Sequence, residues 1–288
     1  MAEPGALMKR AAIASVAVSA FLVVIKAGAY FASHSVAMLA SMADSALDLL
    51  ASLLNMLAIR HALAPADAEH RFGHGKAEPL AGLAQGAFIA ASALFLSIEV
   101  VRRIANPAPI DNSVPALAVM VVSIGITFAL IAYQRRVVAQ TGSIAVEADS
   151  GHYAGDLFSN LGVIAALILS AWMGWTLADP ILALIVAGML AWTAWNVGRR
   201  SLDQLMDHEL PDEDRQRIRA IAERHASVID AHDLKTREAG LSTFIQLHLR
   251  LRSDMTLAQA HVVSDEVERA IRAAYPTAQI IIHQDPAG

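Results

Sequence analysis

Ser41-Met-Ala-Asp44-Ser-Ala-Leu-Asp48-Leu-Leu-Ala-Ser52-Leu-Leu-Asn55 is the stretch that decides the fold. Two aspartates stand inside an apolar run that extends from about residue 36 to 59, and an ionised carboxylate in hydrocarbon costs several kcal/mol unless something compensates it. The i, i+4 spacing puts Asp44 and Asp48 on one helical face, and Ser41, Ser52 and Asn55 continue the same stripe. One wall of this helix is polar and the rest is fit for lipid.

Five further apolar runs of about 20 residues flank it. The six lie at 11–31, 36–59, 80–101, 114–134, 144–174 and 178–198. The composition agrees with a membrane protein: 56% of the 288 residues are hydrophobic and 17% charged, against about 25% charged in ordinary soluble domains. Lys9 and Arg10 precede the first run as in a signal peptide, but the run is long and five others follow, so it reads as a retained helix. With the N-terminus inside, cytoplasmic segments carry Lys9, Arg10, Arg60, Arg71, Lys76, Arg135, Arg136, Arg199 and Arg200, and outside segments only Arg102 and Arg103. That bias places both termini in the cytoplasm. It also makes helices 2 and 5 antiparallel, able to face each other along their length.

Residues 1–208 hold 26 charged side chains and residues 209–288 hold 23, so a soluble domain follows the membrane domain. Pro211 and Asp212 open an amphipathic helix reaching about His225. Residues 242–251 alternate, with Ile245, Leu247, Leu249 and Leu251 on one face and Gln246, His248 and Arg250 on the other. A helix over 256–274, stopped by Tyr275 and Pro276, leads into an apolar strand at 279–282. The expected architecture is an all-α six-helix transmembrane bundle, 1–208, followed by an α+β domain of ferredoxin-like kind, 209–288.

Helix 5 repeats the device of helix 2 with His152-Tyr-Ala-Gly-Asp156, extended by Asp149, Ser159 and Asn160. The chain has no cysteine, which excludes disulfides, iron–sulfur clusters and thiolate zinc sites and leaves imidazole and carboxylate as its strong ligands. Asp44, Asp48, His152 and Asp156 form an oxygen and nitrogen set that zinc accepts and that cadmium, iron(II), cobalt or manganese could occupy. Interhelical pairing with Lys26 of helix 1 is the structural alternative. A net charge of −5 with scattered basic residues gives no reason to expect nucleic acid. No His-Glu-x-x-His motif supports a membrane hydrolase, whereas a membrane-tethered metal sensor and a passive metal channel stay open.

These paired intramembrane ligands, the six spans and the soluble tail resemble the cation diffusion facilitator family, and most closely its bacterial zinc and iron(II) efflux members. The resemblance implies proton-coupled efflux by alternating access from a transport site of Asp44, Asp48, His152 and Asp156. Aspartate at 44, where zinc-restricted relatives often carry histidine, implies a broader choice that includes cadmium and leaves iron open. Imidazole has an ordinary pKa near 6.5, which suits His152 to carry the exchanged proton. Phe72-Gly-His74-Gly-Lys76 is similar to a signature of the family and implies a second metal at Asp67, His70 and His74. In the tail, the resemblance implies a binuclear centre at His232, His248, His261, His283 and Asp285. It further implies a bacterial inner-membrane homodimer joined through the tails, with Lys76 and Asp207 as a charge interlock near the membrane surface. His34, His61, His208 and His225 match no ligand position.

Overall fold

A computed structural model describes residues 3–33, 36–105, 114–173 and 177–287; His34 lies outside them. Six long helices come first: α1 (Pro4–Ser33), α2 (Val36–Ala62), α3 (Ala77–Ala105), α4 (Val114–Thr141), α5 (Ile144–Met173) and α6 (Ala178–Leu205). All but α5 begin or end a few residues beyond their apolar runs, because backbone hydrogen bonding continues past the last lipid-compatible side chain. Among the described residues five of them, all but α5, are long and apolar enough to cross a membrane. The exception carries Glu147, Asp149, His152 and Asp156 in its first half.

The outward faces are apolar. Leu94, Phe95, Phe128, Trp192 and Trp195 are between 63% and 67% exposed, which water would penalise and lipid does not. Inward, Leu130 and Ile131 of α4 pack with Tyr153, Ala154 and Leu157 of α5 and with Ala14 and Val18 of α1. Ile89 and Ala93 of α3 pack with Val186, Leu190 and Ala194 of α6. Gly151 and Gly155 let α6 close on α5: a Cβ at Gly155 would lie 2.3 Å from Leu190 Cδ2, and one at Gly151 2.6 Å from Thr193 Cγ2. Small residues at such crossings permit the close backbone approach that holds helices together in lipid.

The chain divides into two compact units at Leu202 and Asp203. The second contains α7 (Asp212–Glu223), β1 (Val228–Ala239), β2 (Ser242–Leu251), α8 (Leu257–Ala274) and β3 (Ala278–Pro286). Strand order is β1-β2-β3, with β1 antiparallel and β3 parallel to β2. Ile245, Leu247, Leu249 and Leu251 form the buried face of β2 against Ile218 and Ala222 of α7 and Val263, Val267 and Ile271 of α8. Acidic Asp212, Glu213 and Asp214 favour the α7 N-terminus by opposing the helix dipole. Thr256 and Gln259 close α8 with a reciprocal capping box. The unit reproduces only part of the β-α-β-β-α-β pattern expected of a ferredoxin-like domain: no strand precedes α7 among the described residues.

Leu249 is fully buried at the centre of this core, so Leu249→Ala removes packing on both helices and destabilises the tail by about 2–5 kcal/mol. Hydrogen–deuterium exchange of the β2 amides in the full chain measures this, and exchange as slow as in the parent would contradict it.

Candidate metal centres

The first centre lies between α2 and α5. His152 Nε2 sits 2.9 Å from Asp48 Oδ1 and 3.8 Å from Asp156 Oδ2. Donors around a tetrahedral ion at about 2 Å are spaced by roughly 3.3 Å, so the three groups are already near the positions one ion would require. Asp48 and His152 are buried, at 7% and 5% exposure. The antiparallel pairing continues away from this contact: Ser52 Oγ meets Tyr153 Oη at 2.8 Å, and Asn55 Nδ2 donates to the Ala145 carbonyl at 3.2 Å.

Asp44 does not join the group. It is exposed, one turn beyond Asp48, so this conformation gathers three of the four expected ligands. Lys26 Nζ donates to Ser45 Oγ at 2.6 Å and to the Ser41 carbonyl at 3.3 Å, which ties α1 to α2 beside that turn.

One carboxylate has a role that its place in the polar stripe did not reveal. Asp149 Oδ2 accepts from Ser15 Oγ of α1 at 2.5 Å and from Gln134 Nε2 of α4 at 2.6 Å. Ser15 Oγ also lies 3.2 Å from Ser52 Oγ of α2. Asp149 is therefore the hub of a buried network that joins four helices one turn from His152. Sequence could show that it shared a face with His152, but its partners lie 15 and 134 residues away.

The second centre is in the α2–α3 connection. Asp67 Oδ1 accepts the backbone N–H groups of Glu69 at 2.9 Å and His70 at 2.6 Å. The His70 N–H holds the Asp67 carboxyl below the usual carboxylate range. His70 Nδ1 lies 3.2 Å from Asp67 Oδ1, and His74 Nε2 lies 3.3 Å from Asp67 Oδ2. The segment is a series of turns, with Gly73 at φ +80°. The three donors thus converge without the helical turn that their spacing alone would suggest.

The third centre is on the tail sheet. His232, His248 and His283 occupy one rung across β1, β2 and β3. Asp285 Oδ2 lies 2.9 Å from His248 Nδ1 and 3.2 Å from His232 Nε2, and Asp285 Oδ1 lies 3.4 Å from His283 Nε2. The His248 hydrogen bond holds the Asp285 carboxyl below the usual range. His261, expected in the same centre, stands apart: it is exposed on the second turn of α8 and faces Asp265 Oδ2 at 3.7 Å. Two acidic neighbours escaped the sequence reading. Asp230 Oδ1 lies 2.9 Å from His232 Nδ1, and Asp233 Oδ2 lies 3.6 Å from His248 Nε2. Asp233 reaches there from a register shift in β1, at φ 46°, and such a bulge leaves no clear mark in one sequence. Asp207 pairs with Arg237 Nη1 at 3.2 Å.

A multi-helix membrane unit with imidazole and carboxylates buried between two helices, followed by a tail bearing histidines on one sheet face, defines a membrane protein that handles metal cations. The chain belongs to the cation efflux family, the cation diffusion facilitators. Residues 12–206 match the cation efflux transmembrane domain and residues 210–287 match the cation efflux protein, cytoplasmic domain. The family is one of transporters, not enzymes. The chain is similar to the cation-efflux pump FieF of Shewanella oneidensis, 47% identical over 97% of this chain and 94% of the relative. It is also similar to FieF of Klebsiella pneumoniae, 43% identical over 98% of this chain and 94% of the relative. A solved structure of CzrB in a Zn form is 42% identical and covers 28% of this chain and 94% of its own, with a TM-score of 0.27.

In the metal-free protein, the Asp285 carboxyl titrates below the ordinary aspartate value of about 3.9. Its pairing with His248 therefore stabilises the tail fully above that value, and the contribution is lost as pH falls through the depressed one. Carbon-13 NMR of the carboxyl measures the titration, and His248→Ala should move it upward. An unchanged midpoint in that variant would remove His248 as the cause.

Proposed function

We propose that this protein exports divalent transition-metal cations from the cytoplasm in exchange for protons by alternating access, with zinc first and cadmium and iron(II) as further cargo. The observation that carries the reading is the buried meeting of Asp48, His152 and Asp156 between two antiparallel helices. An ionised cluster of this kind inside lipid needs a compensating charge, and a bound divalent cation or protons supply it. Metal and protons therefore compete for the same atoms, and affinity falls where protons are abundant.

In the inward-facing state deprotonated Asp48, His152 and Asp156 take the cation from the cytoplasm, and Asp44 closes the shell as the fourth ligand. In the outward-facing state protons occupy the same groups, His152 foremost, and the metal leaves. Asp149 positions this site: its ties to α1 and α4 fix the turn of α5 that presents His152. In this reading six spans, with α5 shielded by its neighbours, cross a bacterial inner membrane, and the Lys and Arg bias of the connecting segments sets both termini in the cytoplasm.

In this reading the tail joins two copies of the chain, and metal at His232, His248, His283 and Asp285 tightens that dimer, with His261 reaching in from α8. Lys76 and Asp207 interlock by charge near the membrane surface. The second reading, a membrane-tethered sensor, is favoured by the tail cluster alone, since it uses the sheet site and leaves the buried ligands without work.

Metal flux into proteoliposomes separates the two. Zinc flux should depend on an imposed proton gradient and fall at least about tenfold in Asp48→Ala, as expected for loss of a ligand. Flux indifferent to both gradient and substitution would favour the sensor. In a companion measurement, His232→Ala should weaken metal-induced compaction of the tails and leave zinc binding at the intramembrane ligands intact; loss of that binding would contradict the separation of roles.

A further inference from the structure

Asp230 belongs to none of the ligand sets above, and it is not among the donors gathered around Asp285. It stands in a short regular stretch of β1 between two register shifts, where Asp230, Ala231 and His232 pair with Arg250, Leu249 and His248 of β2. Such irregularities re-aim the side chains beside them. Ala231 is buried in the tail core, so strand alternation turns Asp230 and His232 together to the opposite face.

The two ring nitrogens of His232 have different partners there. Nε2 faces Asp285 Oδ2 at 3.2 Å, and the same oxygen lies 2.9 Å from His248 Nδ1. Nδ1 lies 2.9 Å from Asp230 Oδ1, a hydrogen-bond distance. An ion shared by His232, His248 and Asp285 needs a lone pair on Nε2, and a neutral imidazole has one lone pair and one N–H. The N–H must then sit on Nδ1, and an acceptor at Nδ1 selects that tautomer. Asp230 is that acceptor. Its Oδ2 pairs with Arg250 Nη2, which leaves Oδ1 to the imidazole. His248 has no equivalent support: its Nε2 is 3.6 Å from Asp233 Oδ2, too long for a hydrogen bond, and that oxygen accepts from Lys235 Nζ at 3.0 Å.

We infer that Asp230 is a positioning residue of the tail centre: it accepts the Nδ1–H of His232, orients the ring and reserves Nε2 for a zinc-like divalent cation. This rests on the reading of His232, His248 and Asp285 as a metal site. Outer carboxylates of this kind fix the orientation of a ligating imidazole and raise its basicity. A residue that never touches the ion thus sets how firmly the tail takes it. Without Asp230, the competing tautomer is available, in which Nε2–H donates to Asp285 and the lone pair turns away from the site.

The test uses the full-length protein in detergent, in a background of Asp156→Ala and His70→Ala that disables the other two clusters, with Zn2+ alone as the probe. Affinity is read by competition with a chromophoric chelator. Nitrogen-15 NMR of labelled histidines reads which His232 nitrogen is protonated, its signals being assigned by their loss in His232→Gln. In the metal-free background protein the neutral His232 ring should carry its proton on Nδ1, and Zn2+ should shift Nε2 while Nδ1 stays protonated. Asp230→Ala should move the proton to Nε2 and weaken Zn2+ binding at least about tenfold. Arg250→Ala, which removes the ion pair and keeps the contact of Asp230 with His232, should leave the proton on Nδ1. An unmoved proton or an unchanged affinity in Asp230→Ala would overturn the role of Asp230 and leave the tail centre standing. Arg250→Ala reproducing both effects would assign them to the cross-strand ion pair and overturn that role equally. A background protein that binds no Zn2+ would overturn the tail centre itself, and the role of Asp230 with it.

Discussion

The contact of Asp48 with His152 at 2.9 Å is the interaction on which the rest of the membrane unit depends. Placing a carboxylate, an imidazole and the further carboxylate of Asp156 among apolar helices is unfavourable in every respect but one: the groups face each other and can share a cation or protons. Everything around them keeps that arrangement possible. Glycines at 151 and 155 let α6 approach α5 closely, the ring of Phe88 on α3 packs edge-on to His152 at 5.4 Å, and Asp149 pins the preceding turn to α1 and α4.

That support is asymmetric. Toward Ser52 and Asn55 the α2–α5 seam is tied by side-chain hydrogen bonds, whereas toward Asp44 the same face opens and the carboxylate is exposed. In the transport reading proposed above, such a seam lets Asp44 join and leave while the other three groups stay together.

The tail solves a different problem with similar atoms. Its histidines lie on the exposed face of a sheet whose other face is the hydrophobic core, so they cost little to present. Strand pairing supplies the alignment: β2 sits between β1 and β3, and one rung carries a histidine on each. Asp285 follows two residues after His283, so it projects to the same side and reaches all three rings.

Much of this was legible in the chain. Five of the six long helices followed from apolar length, and the facing of α2 and α5 from their i, i+4 spacing of polar side chains. The change in charge density falls near the boundary between the two compact units, and the inward face of β2 followed from its alternation. These are properties of one element at a time, governed by local periodicity and transfer to lipid, and a sequence records them directly. Tertiary structure alone decided which candidates meet. Asp44 and His261 carry the right chemistry but stand apart, and Asp230, Asp233 and Asp149 carry no motif but lie against the clusters. Each depends on a strand register, a bulge, a helix crossing or a turn at positive φ. Those are settled by packing between residues far apart in the chain, and spacing within any one segment does not encode them.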